Sequence, residues 1–197
     1  MSDQPFEIHI RFEDGRVSKF SSSDLLHTQS LLSHLTPARL YNPKQFILAG
    51  ANSLSAVQTE FIVSVEFVGE GLPTWEFLYN AQDIEQIDED TFRADFKPES
   101  YGVVVPPALV EIFAEIEMVS GTRYFLRMKL PVDRPSIQPI EMAMFLNNLV
   151  SSHGFYFRRL GGGLTVLNPS KIARFTFYPG AAPESVPANA WHLEMVK

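Results

Sequence analysis

Phe6-Glu7-Ile8-His9-Ile10-Arg11-Phe12 alternates apolar and polar side chains without a break, and Glu13-Asp14-Gly15 follows directly. Successive side chains of an extended strand point to opposite faces. This alternation therefore predicts a strand with Phe6, Ile8, Ile10 and Phe12 on a core and Glu7, His9 and Arg11 in solvent. Asp-Gly next to such a run signals a hairpin, because Gly takes positive φ at no steric cost, and the return strand then covers 16–20. The same grammar recurs further along. Val110, Ile112, Ala114, Ile116 and Met118 alternate with Glu111, Phe113, Glu115, Glu117 and Val119, Ser120-Gly121 turns the chain, and 122–130 returns. Placing Gly15 on Gly121 sets Ile10 on Ile116 and Phe12 on Met118.

The correspondence extends beyond the hairpins. After the first, Ser21-Ser22-Ser23-Asp24 offers a helix N-cap, with Leu25, Leu26, Leu31, Leu32 and Leu35 at helical spacing before Pro37. After the second, Pro139 precedes a helix-like stretch over 140–150. Each half then offers an apolar strand (45–49 and 155–160) and a turn at Gly50 or at Gly161-Gly162-Gly163. Each closes on a strand, carrying Ile62, Val65 and Phe67 in one half and Ile172, Phe175 and Phe177 in the other. The pattern predicts a β-rich α+β protein of two related small modules, 1–69 and 108–197, each a hairpin, a short helix and a hairpin. They can stand apart or merge into one core. Between them, 70–107 is an acidic connector. Glu76, Asp83, Glu85, Asp88, Glu89, Asp90, Asp95 and Glu99 face only Arg93 and Lys97, and Ile84, Ile87 and Phe92 predict a short helix from about Asp83. Pro98, Pro106 and Pro107 then mark extended chain. At the C-terminal end 179–187 reads as a loop, and 190–196 as an edge strand with Trp191, Leu193 and Met195 on one side. The hairpin, helix, hairpin order resembles small Sm-like or open barrels at the level of fold, a resemblance that implies no function.

Composition limits the chemistry. With 45% hydrophobic and 20% charged residues the chain has material for a core and is not a disordered tail. Its 16 Lys and Arg against 23 Asp and Glu give a net charge of −7, which repels phosphate backbones and disfavours nucleic acid. The absence of cysteine excludes disulfides, thiolate nucleophiles and Cys-held metals. No apolar run reaches the length of a membrane span, and Met1 to Pro5 lacks the basic and apolar regions of a secretory signal, so a soluble, cytoplasmic protein is expected.

No catalytic motif stands out. The histidines 9, 27, 34, 153 and 192 form no HExxH, and no serine sits in a Gly-x-Ser-x-Gly elbow, so no metal, no cofactor and no enzymatic activity are expected. Gly161-Gly162-Gly163 leads into a strand rather than a helix N-terminus and reads as a hairpin turn. What remain are surfaces. Phe155-Tyr156-Phe157 predicts two rings in the core and Tyr156 pointing out to a partner, while Arg123, Arg127 and Lys129 form a basic stripe fit for an acidic segment of a second copy or of the same chain. The leading expectation is a non-catalytic interaction or regulatory adaptor that binds another protein or itself as a homodimer. A second reading is a sensor for a small anionic, nucleotide-like ligand at Arg158, Arg159 and Gly162; a third is an enzyme whose site assembles between the halves.

Overall fold

The computed structural model describes residues 6–22, 24–50, 52–78, 81–96, 108–132, 148–149, 151–178 and 191. Strand β1 (Phe6–Phe12) and β2 (Val17–Ser22) form the first hairpin, followed by helices α1 (Leu25–His34) and α2 (Pro37–Tyr41). A second hairpin, β3 (Gln45–Gly50) and β4 (Ser53–Gln58), leads through a 3-10 turn, Thr59–Phe61, into β5 (Ile62–Val68). Next come β6 (Asp83–Ile87) and helix α3 (Glu89–Asp95), then the hairpin β7 (Ala108–Met118) and β8 (Arg123–Val132). The last elements are the hairpin β9 (Phe155–Arg158) and β10 (Leu164–Leu167), a 3-10 turn Pro169–Lys171, and β11 (Ile172–Tyr178).

Nine strands form one sheet in the order β11-β7-β8-β6-β9-β10-β5-β1-β2, and β3-β4 stands as a separate pair. The junction between the halves is the antiparallel pairing of β10 with β5, Val166 opposite Val65. Among the described residues only β6 and β9 run parallel, through Glu85 and Arg158. Ser64 on β5 and Tyr124 on β8 have three strands between them in the sheet, yet their hydroxyls lie 3.0 Å apart, so the sheet curls strongly. It does not close into a barrel; β11 and β2 are its ends among the described residues.

The two hairpins share local chemistry. Phe12 N–H donates to the Arg16 carbonyl at 2.9 Å, and Met118 N–H to the Thr122 carbonyl at 2.9 Å. Gly15 and Gly121 hold φ of 82° and 79°. Each long first strand meets the final strand of its half across a register shift, where Phe12 faces Ile62 and Met118 faces Ile172.

The core changes sides along the sheet. Phe6, Ile10, Val65, Phe67 and Val166 form one cluster with Leu32 and Leu40 of the two helices. Ile112, Ala114, Ile116, Leu126, Met128, Phe155 and Phe157 form another. Strands β9 and β10 feed both, since Tyr156 and Val166 enter the first cluster while Phe157 and Leu167 enter the second. A third cluster sets Phe92 of α3 on Ile87, Phe113 and Phe125.

Two expectations are corrected here. Residues 83–87 are a strand, not the start of a helix: Ile84 and Ile87, three apart, fall on opposite faces of β6 and are buried in different clusters, because both faces are covered. The helix begins at Glu89, where the Asp88 carboxylate accepts the Thr91 N–H at 2.8 Å. His9 is buried rather than solvated, again because its face of β1 is covered. The expected helix over 140–150 lies outside the described residues except at 148 and 149, as do Pro98, Pro106 and Pro107, the loop over 179–187 and, apart from Trp191, the edge strand over 190–196.

Gly121 and Gly163 both hold positive φ, but a Cβ on Gly121 meets nothing within 4 Å, whereas one on Gly163 would run into the Phe67 carbonyl oxygen at the β10–β5 junction. Gly121→Ala is expected to cost about 1 kcal/mol from backbone strain alone, and Gly163→Ala about 2 kcal/mol or more, measured by urea denaturation. Equal costs would refute the close approach of β10 to β5.

Candidate functional site

The cations singled out in the sequence are already engaged. Arg158 Nε donates to Asp83 Oδ1 at 2.7 Å, and its Nη2 donates to Asp83 and, at 3.2 Å, to Glu85. The Asp83 carboxylate beside it raises its pKa further. Arg159 turns to a different acid, its Nε donating to Glu66 at 3.0 Å. Gly162 sits in the β9–β10 turn with φ 98° and open space around it. The two guanidiniums thus serve separate carboxylates and do not converge on the glycine turn.

The basic stripe on β8 is covered by acids of the same chain. Arg127 Nε donates to Glu85 at 2.9 Å and its Nη1 lies 3.6 Å from Asp95. Arg123 donates to Glu115 through Nε and Nη2 at 3.0 and 2.6 Å, with Glu89 3.6 Å away. Lys129 lies 3.9 Å from Glu111. Glu85, Glu89 and Asp95 all belong to the connector, so the stripe is where α3 and β6 settle. Tyr156 is buried rather than outward, since β9 is covered on both faces. Its ring stacks on Phe77 at 4.8 Å and meets Trp75 edge-on at 5.0 Å, its hydroxyl donates to the Trp75 carbonyl, and burial pushes its pKa well above the usual tyrosine value.

A buried polar cluster escaped the sequence reading. Glu66 of β5 faces His9 on one side and Thr165 on the other. Its carboxylate holds Arg159, with His9 Nδ1 at 3.5 Å and Arg11 Nη2 at 3.7 Å. Tyr124, whose pKa burial raises, bonds Ser64 beside it. Arg11 Nε and Thr165 Oγ1 are buried without a partner. His9 and Arg11 read as polar-face residues of a half-exposed strand; strand pairing sets Glu66 beside His9 and Thr165, and curling of the sheet brings Tyr124 to Ser64.

The most open feature is apolar. Between Asp24 and Arg39, and again between Lys44 and Glu60, there is no Asp, Glu, Lys or Arg. These two stretches are α1 with the start of α2, and the β3–β4 hairpin. In the hairpin, Ile47 pairs with Ala56 and Ala49 with Leu54, which puts all four on one face. That face is solvent-exposed, Ile47 by 54% and Leu54 by 76%, and on α1 Leu26 and Leu31 are exposed as well. Beneath the hairpin, a cavity of about 540 Å3 runs between its inner face, α1 and β1–β2. The charge-free stretches were visible in the sequence, but nothing there showed that they would face each other.

No known family, characterised protein or solved structure matches this chain. Among the described residues no group of three or more His, Asp or Glu could hold a metal ion, and no helix is long and apolar enough to cross a membrane.

Removing the carboxylate at the centre of the polar cluster leaves three donors around an uncharged amide. Glu66→Gln is expected to cost about 2 kcal/mol, below the range for fully buried pairs because solvent reaches the two guanidiniums. Urea denaturation checks it; a loss under about 0.5 kcal/mol would mean that Glu66 does not hold the cluster.

Proposed function

We propose that this chain is a non-catalytic interaction protein that docks on a second copy of itself through the β3–β4 hairpin. One observation carries the reading: an exposed hairpin with no charged residue and an outer face of Ile47, Ala49, Leu54 and Ala56, bordered at its open end by the uncharged Gln45–Gln58 pair. Interface centres are depleted of charge, and solvent-facing strands ordinarily carry charges that stop them pairing. The second copy is the occupant that fits the charge pattern. The chain carries −7 overall, so two copies repel almost everywhere they could touch, and a two-fold contact needs a patch that matches itself. A neutral apolar hairpin meets both demands. Antiparallel pairing of β4 with β4 of the second copy adds main-chain hydrogen bonds to the burial of Leu54 and Ile47.

The common turn and register shift of the two halves support reading them as copies of one duplicated unit. In that reading β4 occupies the position of β10, each preceding a 3-10 turn and the closing strand of its half. β10 has a strand on both edges, β9 and β5, whereas β4 has β3 alone among the described residues. A strand from a second copy would complete the equivalence.

Sedimentation equilibrium over a range of concentrations tests the proposal. The native chain should be a dimer, and Leu54→Lys, which changes only an exposed side chain, should weaken dimerisation by about 100-fold or more, since it brings two like charges together at the contact. A monomer at every concentration, or a Leu54→Lys dimer as tight as the native one, would overturn it.

A further inference from the structure

The cavity beneath the hairpin is a separate feature from its outer face. Phe46 and Leu48 project from β3 into one wall, Ile8 and Phe20 form the floor, and Leu32 of α1 with Leu35 just after it forms the other wall. Its volume of about 540 Å3 lies within the range typical of small-molecule sites, which are mostly apolar with a few placed polar groups.

Polarity is confined to hydroxyls and one imidazole. Ser22, Thr28 and His27 line the end next to the start of α1, and Ser53 and Ser55 line the hairpin side. Among the described residues that line it there is no Lys, Arg, Asp or Glu, although the chain is one-fifth charged. An anion brought into such a site loses water and gains no counter-charge. The helix end is closed to anions as well. The Asp24 carboxylate already accepts the His27 N–H at 2.9 Å, so an anionic headgroup would meet a negative charge there. The Thr28 hydroxyl donates to the Asp24 carbonyl at 2.8 Å and lies 2.9 Å from the Ser22 hydroxyl, which leaves hydroxyl lone pairs and the His27 ring to hold a neutral polar group.

We infer that this cavity binds a neutral molecule with an apolar, acyl-like body and a single hydrogen-bonding end, the end lying by Ser22, Thr28 and His27. The inference does not depend on the self-association proposed above, because the residues that set it apart face the opposite side of the hairpin from Leu54.

The test uses the full chain and two probes of equal length, 1-decanol and decanoate, with binding read by isothermal titration calorimetry. Decanol should bind saturably with one site per chain, and decanoate about tenfold or more weaker at neutral pH. Two variants add bulk inside the cavity without removing a core contact, Ser53→Phe and Ser55→Phe on the inner face of the hairpin. Each should lower decanol affinity about tenfold or more while circular dichroism shows native folding. Leu54→Lys should bind decanol like the native chain, whatever its oligomeric state, which separates failure of this site from failure of the dimer. Absence of saturable decanol binding, decanoate binding as tight as decanol, or native affinity in both folded cavity variants would overturn the inference.

Discussion

The main-chain ladder between β10 and β5 is what makes one protein of this chain. It joins a strand of the last ninety residues to a strand of the first seventy, and every other contact between the halves is arranged around it. Asn168, just after β10, extends the junction by donating from its side chain to the Ile62 carbonyl at 3.0 Å and from its backbone to the Val63 carbonyl at 2.9 Å. Gly163 lets the incoming strand approach closely enough at the other end. Long-range strand pairing of this sort orders its residues only after much chain has been closed into a loop, so it must be backed by burial on both faces. Here it is, because β9 and β10 lie between two cores.

Double-sided burial also accounts for the polar chemistry. Once the sheet curls, the face of β1 and β5 that a lone hairpin would give to water becomes partly enclosed. Glu7, His9, Arg11, Glu66 and Arg159 then satisfy each other in place of solvent. The same logic operates over β7 and β8, where the connector supplies the acids and Phe92 supplies the apolar cover. In both places the cations are anchors of the fold. The β3–β4 hairpin, by contrast, carries no charged residue, and a neutral hairpin with a cavity beneath it carries the functional proposals.

Much of the local structure was legible. Alternation placed β1 and β7, the Asp-Gly and Ser-Gly pairs placed their turns, and the serine and aspartate cluster with Leu25 onward placed α1, whose cap is Asp24. Ile62 and Ile172 open the closing strands, opposite Phe12 and Met118. The connector was legible only in part. Its acids were read as a charged segment, and their partners, Arg123 and Arg127, were read as a stripe in search of one; the salt bridges that join them span up to 42 residues of sequence. Period alone could not settle 83–87, since Ile84 and Ile87 suit a helix or a strand buried on two sides.

The sequence by itself determined where the chain is extended, where it turns, which side chains share a face, and where charge is missing. These follow from backbone geometry and composition within a few residues. Tertiary structure alone decided how many faces are covered. Alternation assigns parity to side chains but says nothing of what will lie over each side, and that cover comes from segments 40 to 110 residues away, as in the bonds Trp75 to Leu35 and Asn168 to Thr59. Tyr156 and His9 were therefore misplaced by one and the same cause, and the cavity, which needs α1 and β3–β4 to face each other, had no signature within either segment.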